Sequence, residues 1–141
     1  MEISVFRIDD RLIHGQIITA WIAYADAKTI IVADDKAAAD SFSQSLLKMA
    51  TPDSIDLKIL SVDEAVNVIK SDKENGKALL LMRGPESALK MIRAGVRKDQ
   101  INVGNMNMKK GKTKVLGNLW VFPEDVENIK KIYETGVTME V

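Results

Sequence analysis

The single histidine of the chain stands at position 14, inside the run RIDDRLIHGQIITAW (residues 7–21). Neutral imidazole is a good nucleophile near pH 7, and a phosphorus–nitrogen bond formed on it transfers readily. Arg11, three residues earlier, supplies a fixed cation with a forked set of donors. Gly15 follows, where the apolar spacing of GQIITAWIAYA predicts the start of a helix over residues 15–25. A helix start offers unpaired backbone N–H groups and a partial positive charge. Here those groups belong to Gly15, Gln16 and Ile17, and Gly15 also lets backbone come close to a ligand. Together these residues make a cradle for a tetrahedral oxyanion with a nucleophile set in it. Phosphoryl transfer asks mainly for positioning and charge stabilisation, so few groups suffice. Arg7 adds a second guanidinium from the strand end, although strand alternation leaves its direction open. Asp9 and Asp10 suit either a functional role or a turn cap paired with Arg7 and Arg11.

Composition removes other chemistries. The 141 residues contain no cysteine, so disulfides, thiolate catalysis and Cys-based metal sites are excluded. One histidine cannot form a His-cluster metal site within a chain. Twenty Lys and Arg balance 20 Asp and Glu, giving no whole-molecule pull toward nucleic acid or anionic lipid. The halves differ: residues 1–76 carry 8 basic and 13 acidic side chains, a net of −5, and residues 77–141 carry 12 and 7, a net of +5. No basic region leads into a long apolar one, and no apolar stretch approaches the roughly 20 residues needed to span a bilayer. These features predict a cytosolic protein without direct membrane insertion.

The elements that must position the cradle follow from alternating apolar runs and helical patterns. Strands are expected at 3–8, 29–34, 56–62, 77–83, 100–104, 114–122 and 137–141, the sixth interrupted at Gly117-Asn118. Helices are expected at 15–25, over 36–50 with Ala39, Phe42, Leu46 and Met49 on one stripe, and after the Ser61-x-x-Glu64 capping box. Gly76 ends that last segment. Pro85 opens the next helix and Gly95 stops it. Pro123 opens the final helix, with Val126, Ile129, Ile132 and Tyr133 inward, and Gly136 closes it. The order predicts one α/β domain over residues 1–141: an open, mostly parallel central sheet with helices on both faces. In such folds sites gather beyond the carboxyl ends of the strands. There lie residues 9–14, Asp34-Asp35, the Arg83-Gly84-Pro85 turn and the loop from Gly104 to Lys114. The lysines of that loop, 109, 110, 112 and 114, suit a solvated loop or an acidic partner surface.

Two other site types fit poorly. A receiver domain needs an aspartate at the tip of the third strand and a lysine after the fifth. Asp63 falls inside the helix cap, and the fifth strand runs into Gly104-Asn105. A dinucleotide or phosphate-loop site needs a glycine-rich turn, and the first turn reads DDRLIHG. A domain of this fold that binds an anion or a partner and transfers nothing stays open as the alternative.

The unbroken run Asp-Asp-Arg-Leu-Ile-His-Gly-Gln at the end of the first strand resembles the signature of the IIB subunits in the mannose/fructose/sorbose family of the bacterial sugar phosphotransferase system. LLLMRGPESALKMI is similar to the family's fourth strand and following helix, and INVGNMNMKKGKTKV to its loop after the fifth strand. The resemblance implies a phosphoryl carrier acting as a protein-phosphohistidine–sugar phosphotransferase. It implies a phosphorylated IIA partner, membrane subunits IIC and IID, a hexose or amino-sugar acceptor, and a place at the inner face of the membrane, with no cofactor. It further implies that His14 is phosphorylated at Nδ1, that Arg11 meets the phosphoryl oxygens and that Asp10 orients the loop or the imidazole. Where many relatives have a histidine after the methionine of the later loop, this chain has Asn107. It also stops at Val141, where relatives commonly run somewhat longer.

Overall fold

The computed structural model describes residues 1–72, 76–96 and 98–141. Strands β1 (Glu2–Ile8), β2 (Thr29–Ala33), β3 (Asp56–Leu60), β4 (Lys77–Met82), β5 (Gln100–Val103) and β8 (Thr138–Glu140) form one sheet in the order β3-β2-β4-β1-β5-β8. Every pairing in it is parallel. Helix α1 (Gly15–Ala25) covers one face with α2 (Asp35–Ala38) and α3 (Ser41–Met49); α4 (Val62–Ser71), α5 (Pro85–Arg93) and α6 (Pro123–Glu134) cover the other.

Alternation along the strands divides the core. On β4, Ala78, Leu80 and Met82 pack toward α4, α5 and α6, while Leu79 and Leu81 pack toward α1. All five are at most 1% exposed, which is why that strand is almost wholly apolar. On β1, Phe6 and Ile8 face α5, so Arg7 between them faces α1.

The strand order matters for the site. From β1 the chain crosses to β2 on one side; from β4 it crosses to β5 on the other. The carboxyl ends of neighbouring β1 and β4 therefore part company, leaving a crevice at the point where the winding reverses. Register makes these ends level, with Ile8 beside both Met82 and Val103.

Several expected elements differ. The helix over 36–50 is two, because Asp40 starts a new one: its carboxylate accepts from the Phe42 amide (3.2 Å) and the Ser43 hydroxyl (2.6 Å). The break rotates the helix, so Ala37 and Leu47 face the core and the expected stripe of Ala39, Phe42, Leu46 and Met49 is exposed. The expected strand at 114–122 is a hairpin outside the main sheet, β6 (Thr113–Leu116) and β7 (Leu119–Val121), turning at Gly117-Asn118. The capping box at Ser61 is present and ends β3 at Leu60. Helix α4 stops at Ser71, ahead of Gly76; residues 73–75 between them lie outside the described residues. In α6, Ile132 is buried, whereas Val126 and Tyr133, expected inward, are exposed.

Candidate functional site

The loop after β1 is stitched to both neighbouring strands. The Asp9 amide donates to the Met82 carbonyl (2.9 Å), the Gly104 amide to Ile8 (2.7 Å) and the Asp10 amide to Asn105 (2.8 Å). The Leu12 amide closes a turn onto the Asp9 carbonyl (2.9 Å). Leu12 has a φ of 59°, a left-handed conformation rare for a residue with a branched side chain. Burial holds it there: Leu12 and Ile13 are 4% and 6% exposed, in the cluster beneath α1. With those two side chains driven inward, His14 is turned out to solvent.

His14 is the N-cap of α1, in extended backbone, and its ring makes no capping bond. The amides of Gly15 and Ile17 in the first turn meet no acceptor among the described residues. Gln16 occupies the same turn. Gly15 has a φ of 47°, the left-handed region that glycine enters freely, so the helix can start directly after the exposed histidine.

Beneath this surface lies a buried charge cluster. Asp9 is 2% exposed and binds two guanidiniums. Arg11 approaches edge-on, Nε donating to Oδ1 (3.0 Å) and Nη2 to Oδ2 (2.8 Å), while the Arg11 amide also donates to Oδ1 (3.0 Å). Arg7 Nη2 donates to Oδ2 (3.2 Å). Burial pushes the Asp9 carboxyl up, but the hydrogen bonds from the Arg11 side chain and amide and from the Asn105 amide outweigh it and hold the acid below its usual range. The hydrogen bond to Asp9 raises Arg11. Burial lowers Arg7, against the opposing pull of Asp9.

Strand alternation had left the direction of Arg7 open; it is 8% exposed and lies under α1. Its Nη1 donates to the Asn102 carbonyl oxygen and its guanidinium carbon sits 4.4 Å from the Trp21 ring centroid. Strand alternation sends it under α1, where it donates to Asp9.

The Asp10 carboxylate takes a different partner from either the imidazole or an arginine side chain. It accepts from the Asn105 amide group (3.1 Å) and the Asn107 backbone N–H (2.5 Å). It therefore ties the histidine loop to the loop after β5. Arg83 joins a third segment, Nε donating to Asp34 (3.0 Å) and Nη1 to the Asp10 carbonyl (3.3 Å). Beside this knot opens a cleft of about 400 Å³ lined by Asp10, Arg83, Gly84, Asn107, Lys109 and Phe122 among others. Asp63, by contrast, lies in the first turn of α4 and pairs with Lys90 (3.6 Å), away from the crevice.

The structure thus brings His14, Arg11, Gly15, Gln16 and Ile17 into one short segment and turns Arg7 inward. Sequence reasoning missed the central place of Asp9, the bridging of Asn105, Asn107 and Arg83, and the need for Gly104. A Cβ at Gly104 would lie 2.2 Å from Arg7 Nη2 and 2.6 Å from Asp9 Oδ2. The available signal was a glycine directly after a strand, level with an acid flanked by arginines at two residues on either side.

A family model described as the sorbose-subfamily IIB component of the PTS system matches residues 3–141. The mannose-specific EIIAB component of Escherichia coli K12 is 34% identical over 142 residues, covering all of this chain and 44% of that protein. The chain thus spans less than half the length of these mannose-specific relatives. The sorbose-specific EIIB component of Lacticaseibacillus casei is 30% identical, covering all of this chain and 87% of that one. The crystal structure of the IIBSor domain of the sorbose permease from Klebsiella pneumoniae superposes with a TM-score of 0.95 at 31% identity, over 99% of this chain and 86% of that one. The N-acetylgalactosamine-specific IIB component 1 of Escherichia coli gives 0.91 at 28% identity, over 98% and 91%.

Proposed function

This chain belongs to the sorbose subfamily of phosphotransferase-system IIB components, and from that premise we propose that it carries a phosphoryl group on His14 between a phosphohistidine donor and a sugar. The observation that carries the reading is the placement of His14: exposed, uncapped, at the mouth of α1, with Gly15 and Ile17 amides open and Arg11 fixed three residues before it. The donor is a phosphorylated IIA protein or domain, a pairing supported by the relative whose name joins A and B components. The acceptor is the 6-hydroxyl of a hexose or amino sugar presented by membrane subunits IIC and IID, with this chain on the cytoplasmic side.

In the first step Nδ1 of neutral His14 attacks phosphorus as the nitrogen–phosphorus bond of the donor breaks. In the second the sugar hydroxyl oxygen attacks phosphorus as the nitrogen–phosphorus bond of His14 breaks, and the hydroxyl proton ends on the departing imidazole, restoring neutral His14. Charge on the equatorial oxygens is met by Arg11, the Gly15, Gln16 and Ile17 amides and the positive end of α1. Asp10 acts at one remove, by fixing the histidine loop to the loop after β5.

The test is phosphorylation by a phosphorylated IIA protein, reading an acid-labile, base-stable phosphate on this chain. His14→Ala should accept no label. Arg11→Ala should fold and lose about 10²–10³-fold in transfer rate, the usual effect of removing one preorganised donor. Label on His14→Ala, or a base-labile acyl phosphate, would sink the reading.

A further inference from the structure

The carrier role gives Arg11 a task but does not explain how a long, partly exposed side chain comes to be ready for it. We propose that Asp9 is the positioning residue of the site, clamping Arg11 by one edge of its guanidinium so that the other edge is held ready for the phosphoryl group on His14. The inference rests on the carrier reading and extends it to a residue that never meets the substrate.

Three observations carry it. First, the clamp is two-pronged. Nε and one hydrogen of Nη2 are committed to the two Asp9 oxygens, at 3.0 and 2.8 Å. Both hydrogens of Nη1 and the second of Nη2 have no partner among the described residues, and the side chain is 28% exposed. A planar fork held along one edge can turn only about that edge. Gripping an anion then costs little further ordering, because Asp9 has already removed the freedom of the side chain.

Second, the clamp is itself anchored. Asp9 is 2% exposed, and Arg7 binds it from below at 3.2 Å. Arg7 is fixed in turn by Asn102 and by the Trp21 ring of α1. The chain of support runs from the helix that begins beside His14, through Arg7 and Asp9, to Arg11. Gly104 lies so close to this group that any side chain there would overlap Arg7 and Asp9.

Third, the charge arrangement leaves a cationic edge for a transient anion. Two guanidiniums share the Asp9 carboxylate, and the Asp10 carboxylate acts on Arg11 without a hydrogen bond to its side chain. A phosphoryl group on His14 would be the direct hydrogen-bonding partner for that second edge. Arg11 can therefore serve both anions at once, Asp9 along one edge and phosphate along the other.

Three measurements on the full chain test this. In the unphosphorylated protein, the Arg11 Nε–H resonance in a nitrogen-15 spectrum should be sharp and slow to exchange with water, and Asp9→Asn should lose that protection. In single-turnover transfer from a phosphorylated IIA protein, Asp9→Asn should slow transfer by about 10²-fold at saturating donor, the scale expected for a reacting partner displaced by an ångström. The half-saturation concentration should stay within about twofold, since the donor is met elsewhere. The double variant Asp9→Asn/Arg11→Ala should be no slower than Arg11→Ala alone, because Asp9 acts only through Arg11. Multiplying losses in the double variant, an unchanged rate in Asp9→Asn, or a change confined to half-saturation each overturn the proposal. If Asp9→Asn does not fold, the spectrum of the unaltered protein decides: an Arg11 Nε–H exchanging at the rate of a free side chain overturns it. Absence of label on His14 in the unaltered protein, with Arg11 still protected, would mark failure of the carrier reading and not of the clamp.

Discussion

Gly104 sits one residue past β5, and its missing side chain is what lets Arg7 and Asp9 meet there. A Cβ here would overlap both, and neither is a free chain end that could swing aside: each is buried and bonded on more than one side. Gly104→Ala should therefore destabilise the fold by about 1–3 kcal/mol, the cost of overfilling a packed interior. Transfer should slow as well, because Asp9 must shift to make room. A denaturant melt reads the first effect and single-turnover labelling the second; an unchanged midpoint would show that the cluster yields. The same residue scale explains Asn107. Its backbone N–H donates to Asp10, and its side-chain oxygen accepts from the Asn105 amide group that also binds Asp10, so Asn107 holds the bridge between the two loops at both points.

At the scale of elements, helix starts do much of the positioning. Ser61 accepts from the Glu64 amide (3.1 Å) and Glu64 accepts from the Ser61 amide (3.1 Å), which ends β3 and launches α4 without a loop. The Val62 amide is met by Asp35 (2.9 Å), tying α4 to α2 across the carboxyl edge of the sheet. Ser61→Ala should lower stability by about 1 kcal/mol, as for other lost N-caps, and leave transfer untouched because the site lies on β1 and β5. A shifted melt with unaltered labelling is the expected result; lost labelling would mean that α4 supports the crevice. Helix α1 is the contrast. Its N-cap is a histidine that caps nothing, and its first turn sacrifices that stabilisation to keep donors open.

For the whole molecule, the buried acid predicts how stability follows pH. The folded state holds Asp9 below the unfolded carboxyl value of about 3.9. As pH falls below that value, the unfolded chain takes up the proton first, so the contribution of Asp9 to stability is full at neutral pH and is lost as pH drops through the lowered folded value. Asp40, lowered chiefly by the Ser43 hydroxyl, and Glu64, lowered chiefly by the Ser61 amide, act with the same sign. Asp9→Asn should therefore be clearly less stable than the parent at pH 7, and the gap should narrow as pH falls below the unfolded carboxyl value of about 3.9. Parallel denaturant melts across that range measure it; a gap independent of pH would show that the charge of Asp9 contributes nothing.

The sequence by itself determined the fold class, the strand order along the chain, the capping box at Ser61, and a histidine at the junction of β1 and α1 with Arg11 and open amides around it. These were legible because they are local: periodicity of 2 or 3.6, a cap three residues from its partner, a motif within eight residues. The tertiary structure alone decided that Arg7 points under α1, that Asp9 and not Asp10 grips the arginines, that Asp10 binds a loop almost a hundred residues away, and that the stripe on α3 faces outward. Each of these depends on which strands become neighbours and at what register. Residues 7, 9, 102 and 104 become one cluster only once β1 and β5 lie side by side, with Arg7 beside Asn102.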